Sequence, residues 1–316
     1  MPKVSIIMNC LNGENFVRQA IQSVYDQTYQ DWELVFWDNA STDSTPDIAK
    51  SFDDGRLRYF RSAETVPLGK ARQWAMAEAR GEWVAILDHD DLFLPPRLQR
   101  QMEELAKGDY VFSYTGYREI NEKGELLRTV VPRHRSGNLF DALLVDFEIN
   151  IATVMMRRDV LGQLEMETIA SFRMAEDYYL YLGMAARGAV CVLPDVLVTY
   201  RQVSASWTEK ALHLHAVEFH ATLDQLERDM PGITARHASG FAAARAHADY
   251  AKAKNEMHQG RHAEGRRLMG SIRHERKAYA VLHVISFFPW LWKLLHQREL
   301  KARLTSLLLG AGLRSR

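Results

Sequence analysis

Three carboxylates fall within four residues at Asp88-His89-Asp90-Asp91, directly after the apolar run Trp83 to Leu87. Two like charges about 4 Å apart repel by about 4 kcal/mol at an effective dielectric of about 20. A fold that keeps such a cluster does so around something positive. Hard oxygen ligands suit Mg²⁺ or Mn²⁺, ions that commonly hold on to substrate phosphates as well. The other reading is a polar loop whose aspartate caps a helix opened by Pro95 and Pro96, and the residues alone leave both open. In extended chain Asp88 and Asp90 would point to the same side. A second acidic pair, Glu176-Asp177, heads a helical pattern carrying Leu180, Met184 and Ala185. A carboxylate there is held by the helix start, either as a cap or as a base. A third polar stretch, Asp38 to Pro46, follows an apolar run, and Asp38 could accept hydrogen bonds from a nucleotide base or ribose.

The elements that must position these residues alternate. Val4 to Met8, Glu33 to Trp37, Leu57 to Phe60 and Trp83 to Leu87 read as strands. Between them Phe16 to Tyr25, Asp47 to Phe52 and Leu68 to Arg80 read as helices. Such alternation predicts an α/β fold with a mostly parallel central sheet and helices on both faces. In such sheets ligands bind outside the carboxyl ends of the strands. The stretches Met8 to Asn12, Asp38 to Asp43 and Asp88 to Asp91 all lie at those ends. Further on, Asp109 to Leu127 reads as strand, turn (Asn121 to Gly124) and strand, Asn150 to Met156 as an apolar strand, and Val190 to Thr199 as another. From about Lys210 strand signals give way to alanine, histidine and arginine at helical spacing. We therefore expect an α/β domain over 1–210 and a helical C-terminal region over 211–316.

Composition narrows the chemistry. The chain has 316 residues, 47% hydrophobic and 25% charged, with zero formal net charge, so its overall charge points to no nucleic-acid partner. Cys10 and Cys191 sit in apolar runs and read as reduced buried thiols. No signal peptide and no apolar span of bilayer length stands out, so a cytoplasmic location is expected. The dinucleotide fingerprint and the phosphate-cradling P-loop are both missing after the first strand. The crevice offers carboxylates where those folds offer glycines.

In order along the chain, these motifs resemble family 2 glycosyltransferases of the GT-A fold. The opening strand and turn appear as Val4 to Glu14, and the Ser-Val-x-x-Gln-Thr of the first helix as Ser23 to Thr28. The Val-Asp-Asp-Gly-Ser-Thr-Asp loop appears as Trp37 to Asp43, the Ala-Arg-Asn helix start as Ala71-Arg72-Gln73, and Leu-Asp-x-Asp-Asp as Leu87 to Asp91. The resemblance covers roughly residues 3 to 206. It implies a metal-dependent, inverting transfer of a sugar from a nucleoside-diphosphate donor, UDP by default, to a hydroxyl of a glycan or glycolipid. By the same resemblance Asp38, Asn9 and Leu11 would line the base pocket, Asp88 would sit near the ribose, and Arg72 near nucleotide or phosphates. Asp90, with Asp88, would hold Mn²⁺ or Mg²⁺. Asp177 would be the base and Glu176 its partner or an acceptor contact. Asp43 is expected to cap a helix rather than touch ligand. The family often carries Tyr-Arg-x-His where this chain has Tyr200-Arg201-Gln202-Val203, which leaves the remaining metal ligand open, with His213 and His215 as candidates. Two rival classes are a sugar nucleotidyltransferase, which would want a Gly-rich loop after the first strand, and an inactive binding subunit of a glycan-assembly complex.

Two further segments carry expectations. Pro132 to Gly137, with Arg133, His134 and Arg135, is a basic loop that could close over an anionic donor or simply be solvated. Val281 to Leu295 is an aromatic-rich apolar run broken by His283, Pro289 and Lys293, with basic residues on both sides. That combination fits a helix lying in a membrane interface. It predicts peripheral attachment to an anionic membrane at the inner face, with packing on the catalytic domain or on a second subunit as the alternative.

Overall fold

The computed structural model describes residues 1–173, 175–203 and 214–296. Strand β1 (Val4–Cys10) is buried along its whole length. Its apolar, β-branched sequence suits a central strand covered on both faces. Parallel neighbours β2 (Trp32–Asp38) and β4 (Trp83–Ile86) flank it, and β3 (Leu57–Arg61) runs parallel outside β2. Helices α1 (Val17–Tyr25), α2 (Thr45–Lys50) and α3 (Leu68–Ala77) make the connections. This is the expected parallel half.

Beyond β4 the sheet becomes mixed. After β5 (Leu92–Phe93) and α4 (Arg97–Leu105), β6 (Tyr110–Asn121) turns directly into β7 (Leu126–Val130). Gly124 at φ +83° makes that tight return, and a hairpin can only be antiparallel. Helix α5 (Phe140–Val145) and a 3₁₀ turn (Ile151–Thr153) lead to the short strand β8 (Met155–Arg157), which is antiparallel to both β4 and β6. Strand β9 (Ala189–Gln202) lies parallel to β6 and carries β5 on its far side. The order is β3-β2-β1-β4-β8-β6-β9-β5, with β7 beside β6. The mostly parallel sheet expected from alternation therefore describes β1 to β4, and a mixed half completes it.

Alternate residues of the strands feed two apolar layers. Ile7, Val35, Val84 and Ile86 face α3 and α8 (Glu176–Ala185), which is reached through α6 (Arg158–Leu161) and α7 (Met166–Ser171). Ile6, Met8, Leu34 and Ala85 face α1 and α4. Helix α8 is buried almost all round, as expected of a helix apolar on every side, and its first turn is thereby held rigidly. The first layer also takes in Phe219 and Leu223 of α9 (His215–Asp229) and Phe241 and Ala244 of α11 (Ala238–His258), with α10 (Ile233–Arg236) between them. The core thus crosses the expected boundary at residue 210. A separate small core forms where α12 (His262–Ile272), α13 (Lys277–Ile285) and α14 (Pro289–His296) pack on the end of α11. Helices α11 and α12 are joined through Gln259-Gly260, with Gly260 at φ +78°. Among the described residues no helix is long and apolar enough to cross a membrane.

Candidate active site

Strand β4 ends at Ile86, and Asp88 to Asp91 form a turn closed by the Asp91 amide on the Asp88 carbonyl at 3.1 Å. The carboxylates are therefore gathered by a turn, not by the alternation of an extended strand, because the chain must double back into β5. Gly13 lets the loop after β1 approach this turn: a Cβ there would lie 2.4 Å from the His89 ring and from Cys10 Sγ. Arg201 of β9 fastens the turn from the other side. Its amide donates to Asp91 at 2.8 Å, its Nε to the Asp90 carbonyl at 3.0 Å, and its guanidinium lies over Phe16. Burial, and then the negative charges of Asp90 and Asp88, push the Asp91 carboxyl well above the usual range. Burial also raises Asp90, with Asp88 adding to the shift and His89 opposing it. No side chain pairs with the Asp90 carboxylate among the described residues, and Asp91 Oδ2 is buried without a partner. An uncompensated set of hard oxygens of this kind fits Mn²⁺ or Mg²⁺.

Arg72 joins this turn to the second acidic pair. It lies on the buried side of α3, is 4% exposed, and donates to Asp88 at 2.6 Å and to Glu176. Gly69, one turn earlier, makes this reach possible. A Cβ there would lie 2.3 Å from the Ile169 carbonyl oxygen, so only glycine lets α3 pack this closely on α7 and the segment leading to Glu176. The sequence placed Arg72 by nucleotide or phosphate; the structure gives its guanidinium to the two carboxylates. Glu176 is likewise engaged with Arg72. Its neighbour Asp177 is half-buried in the first turn of α8 and accepts from the Tyr178 amide at 2.8 Å. Burial and the adjacent Glu176 charge push the Asp177 carboxyl up to about 7, against the pull of Arg72. Near neutral pH such a group can both hold and release a proton, as a general base must.

At the ends of β1 and β2 lie the residues expected to line a base pocket. Asn9 is 5% exposed, and neither its side-chain oxygen nor its nitrogen has a partner among the described residues. A buried amide left this way costs about 1–3 kcal/mol, which points to a bound group or water. Leu11 stands exposed beside it. Asp38, expected to accept from a base, is fully buried and already accepts from the Ser41 amide at 2.8 Å, Tyr59 Oη at 2.6 Å and Arg61. In the structure its carboxylate holds the loop after β2 in shape. That loop carries Ala40 at φ +64°, where the family pattern has glycine, a conformation costly for a side chain. Asp43 caps locally as expected, accepting from the Thr45 amide at 2.9 Å and the Glu14 amide at 3.1 Å.

The sequence model of Glycosyl transferase family 2 matches residues 5–164, half of the chain, and spans β1 to α6. The chain belongs to glycosyltransferase family 2. It is 31% identical over 209 residues to TuaG of Bacillus subtilis, a glycosyltransferase attributed to teichuronic acid biosynthesis, covering 65% of this chain and 81% of TuaG. It is 32% identical over 181 residues to WfgD of Escherichia coli, a UDP-Glc:α-D-GlcNAc-diphosphoundecaprenol β-1,3-glucosyltransferase, covering 57% of this chain and 69% of WfgD. It matches only 31% of the length of an uncharacterized glycosyltransferase of Rickettsia felis, at 32% identity over 60% of this chain. Among solved structures, S. aureus TarS 1-349 in complex with UDP-GlcNAc shares the fold with a TM-score of 0.59 at 16% identity, covering 93% of this chain and 92% of that one. The mannosyltransferase PcManGT of Pyrobaculum calidifontis, in complex with GDP-Man and Mn²⁺, gives 0.56 at 19% identity over 94% and 88%. The architecture is thus that of GT-A glycosyltransferases.

Other histidines and arginines of this family 2 chain take structural places or fall outside the described residues. His213 and the side chain of His215 lie outside the described residues. Arg157 pairs with Asp109 and Asp159, and Arg158 donates to the Gly81 carbonyl, so both are structural. The basic loop at 132–137 is pinned: Glu148 accepts from the Arg133 and His134 amides, the Arg133 side chain and Tyr114 Oη. His134, Asp146 and Glu148 bring possible ligand atoms within 4.8 Å of one another, yet Arg133 already supplies the positive charge by pairing with both acids. Those hydrogen bonds hold the Glu148 carboxyl below the usual range although burial opposes them. Sequence reasoning missed Arg201 and Arg61 as site-forming residues. Only the Tyr-Arg of the family's Tyr-Arg-x-His pattern hinted at the first, and nothing local marked the second.

Proposed function

We propose that the chain is an inverting, metal-dependent transferase that moves a sugar from a nucleoside diphosphate, UDP by preference, to a hydroxyl of a lipid-linked or cell-surface glycan. The observation that carries this reading is the Arg72 bridge. It ties the Asp88–Asp91 turn to the Glu176-Asp177 helix start, so donor chemistry and acceptor chemistry share one rigid support. Asn9 and Leu11 would line the nucleotide pocket, with Asp38 shaping its wall from behind. Asp90 and Asp88 would hold Mn²⁺ or Mg²⁺, which supplies positive charge to the departing diphosphate when bound. Asp177 takes the acceptor's hydroxyl proton as the new oxygen–carbon bond forms at the anomeric carbon. The bond from that carbon to the diphosphate oxygen breaks on the opposite side, and the nucleoside diphosphate leaves with the electron pair. The UDP preference and the lipid-linked acceptor draw on what the names of WfgD and the TarS complexes state of those proteins. A soluble donor and a lipid-anchored acceptor meet only at a membrane surface, and we place that surface at the inner face of the plasma membrane.

Isothermal titration with UDP, with and without Mn²⁺, combined with product analysis on UDP-sugars, tests this. Metal-dependent UDP binding and release of free UDP are expected. Release of pyrophosphate would instead indicate a nucleotidyltransferase, and metal-independent binding without turnover an inactive binding subunit.

A further inference from the structure

Helices α13 and α14 have two apolar faces, and only one is covered. The inner face, with Tyr279 and Trp292, packs on Met257, Leu268, Met269 and Ile272. The outer face carries Val281, Val284, Phe287, Phe288 and Trp290, between 49% and 68% exposed. Val281 and Val284 lie on one side of α13 at helical spacing, Phe287 and Phe288 follow in the turn after it, and Trp290 stands in the first turn of α14. Exposed aromatics gathered in this way mark an interaction surface.

Charge identifies what the surface fits. Arg266, Arg273, Arg276, Lys277 and Lys293 lie on or next to the helices that carry it, and none forms an ion pair with a carboxylate among the described residues. Arg266 instead lies over the Phe287 ring at 5.6 Å, and Arg276 donates to the Val145 carbonyl. The nearby Arg261 and Arg267, by contrast, are neutralised by Glu256 and Glu264. A second copy of this chain seated here by two-fold symmetry would set the same cations against one another. An anionic lipid surface would neutralise them and bury the aromatics at once.

Position completes the argument. The Arg276 contact at Val145 lies two residues from Phe147, whose ring packs edge-on against Tyr178 at 4.9 Å, beside Asp177. A run of contacts therefore leads from the start of α13 to the residue beside Asp177. We propose that α13 and α14 seat the protein on an anionic bilayer surface, with Phe287, Phe288 and Trp290 entering the headgroup boundary and the five cations facing anionic headgroups. Its placement beside the acceptor site rests on the transferase reading; the binding itself does not.

The test is co-sedimentation of the full chain with phosphatidylcholine vesicles and with vesicles that also contain phosphatidylglycerol, in the absence of donor. The expected result is sedimentation with the anionic vesicles at low salt. Partitioning should fall by at least about tenfold in a Phe287→Ser, Phe288→Ser, Trp290→Ser variant and in an Arg273→Glu, Lys277→Glu, Lys293→Glu variant. UDP titration of both variants, expected to match wild type, verifies that they are folded; should the aromatic triple variant unfold, Trp290→Ala and the charge variant carry the comparison. Wild-type protein that stays in the supernatant with anionic vesicles overturns the proposal. So does partitioning that neither variant changes, or a dimer in light scattering that the aromatic variant dissociates. Because no donor is present, failure here leaves the transferase reading standing, and failure of UDP binding leaves this one.

Discussion

Two close-set acidic groups of the molecule are in opposite states. At Glu148 and Asp146 the acids are saturated: Arg133 pairs with both, and a tyrosine and two amides donate to Glu148. At Asp88 to Asp91 the protein satisfies the edges and leaves the middle. Arg72 takes Asp88, the Arg201 amide takes one oxygen of Asp91, and among the described residues no side chain takes Asp90. By ligand type alone the first group, with its histidine, is the better metal site. By what remains unsatisfied it is the second. A cluster that supplies its own counter-charge is a structural joint, and one that withholds it is prepared for a ligand.

The largest expected effect breaks this comparison directly. Asp90→Ala should abolish the metal-dependent part of UDP affinity, because Asp90 is the carboxylate of the turn that neither Arg72 nor the Arg201 amide engages. Glu148→Ala should leave that affinity unchanged. Titration of UDP with and without Mn²⁺ reads both, and the reverse pattern would exchange the roles of the two clusters.

Next in size is the base. Asp177→Asn keeps the shape but cannot take a proton, so turnover should fall by about 10²–10⁴-fold with UDP affinity close to wild type. Turnover within about threefold of wild type would move the base to another group, Glu176 first.

Much of this was legible in the sequence, for a definite reason. The Asp88–Asp91 cluster and the Glu176-Asp177 pair are local patterns, each readable within a few residues, and the strand and helix that carry them are apolar runs. What the sequence hid was pairing across distance. That Arg61 would occupy Asp38 depends on register between β2 and β3, where Asp38 lies opposite Arg61. That Arg72 would bridge two acids depends on Gly69 letting α3 approach α7. The core's passage across residue 210 escaped notice because α9 and α11 present ordinary helical patterns, and only packing shows that Phe219 and Phe241 face the sheet.

Stability sharpens the same contrast. Arg72→Met leaves Glu176 buried and unpaired, and removing one partner of a buried ion pair costs about 3–5 kcal/mol. Glu148→Ala strands the donors around a partly exposed site, and about 1–3 kcal/mol is expected. Denaturant unfolding of the two variants should keep that order; equal losses would mean that the Arg72 bridge is no more strained by burial than the Arg133 joint.

The smallest effect is a shift in a pH profile. With its carboxyl near 7, Asp177 is protonated below that pH and cannot act as a base, so kcat/KM should fall as pH drops through about 7. Glu176→Gln removes the neighbouring negative charge, makes ionisation of Asp177 easier, and should move this limb to lower pH. A limb that stays in place would show that burial alone sets it.

Arg201 also bears on the order in which the molecule is assembled. The residue that fastens the acidic turn lies 110 positions after Asp91, and it reaches back 182 positions to Gln19. A nascent chain can therefore form β1 to β4 from nearby segments long before the clasp on Asp91 has been synthesised. In the interval Arg72 can hold Asp88, but Asp90 and Asp91 lack the clasp. We expect pulse-labelled hydrogen exchange during refolding to protect the Arg201 amide, which the clasp buries, later than the amides of Ile6 and Val35; simultaneous protection would mean that the crevice and its sheet form in one step. On this account the acidic crevice is the last thing folding completes, and a chain stalled before β9 would be a sheet without its clasp.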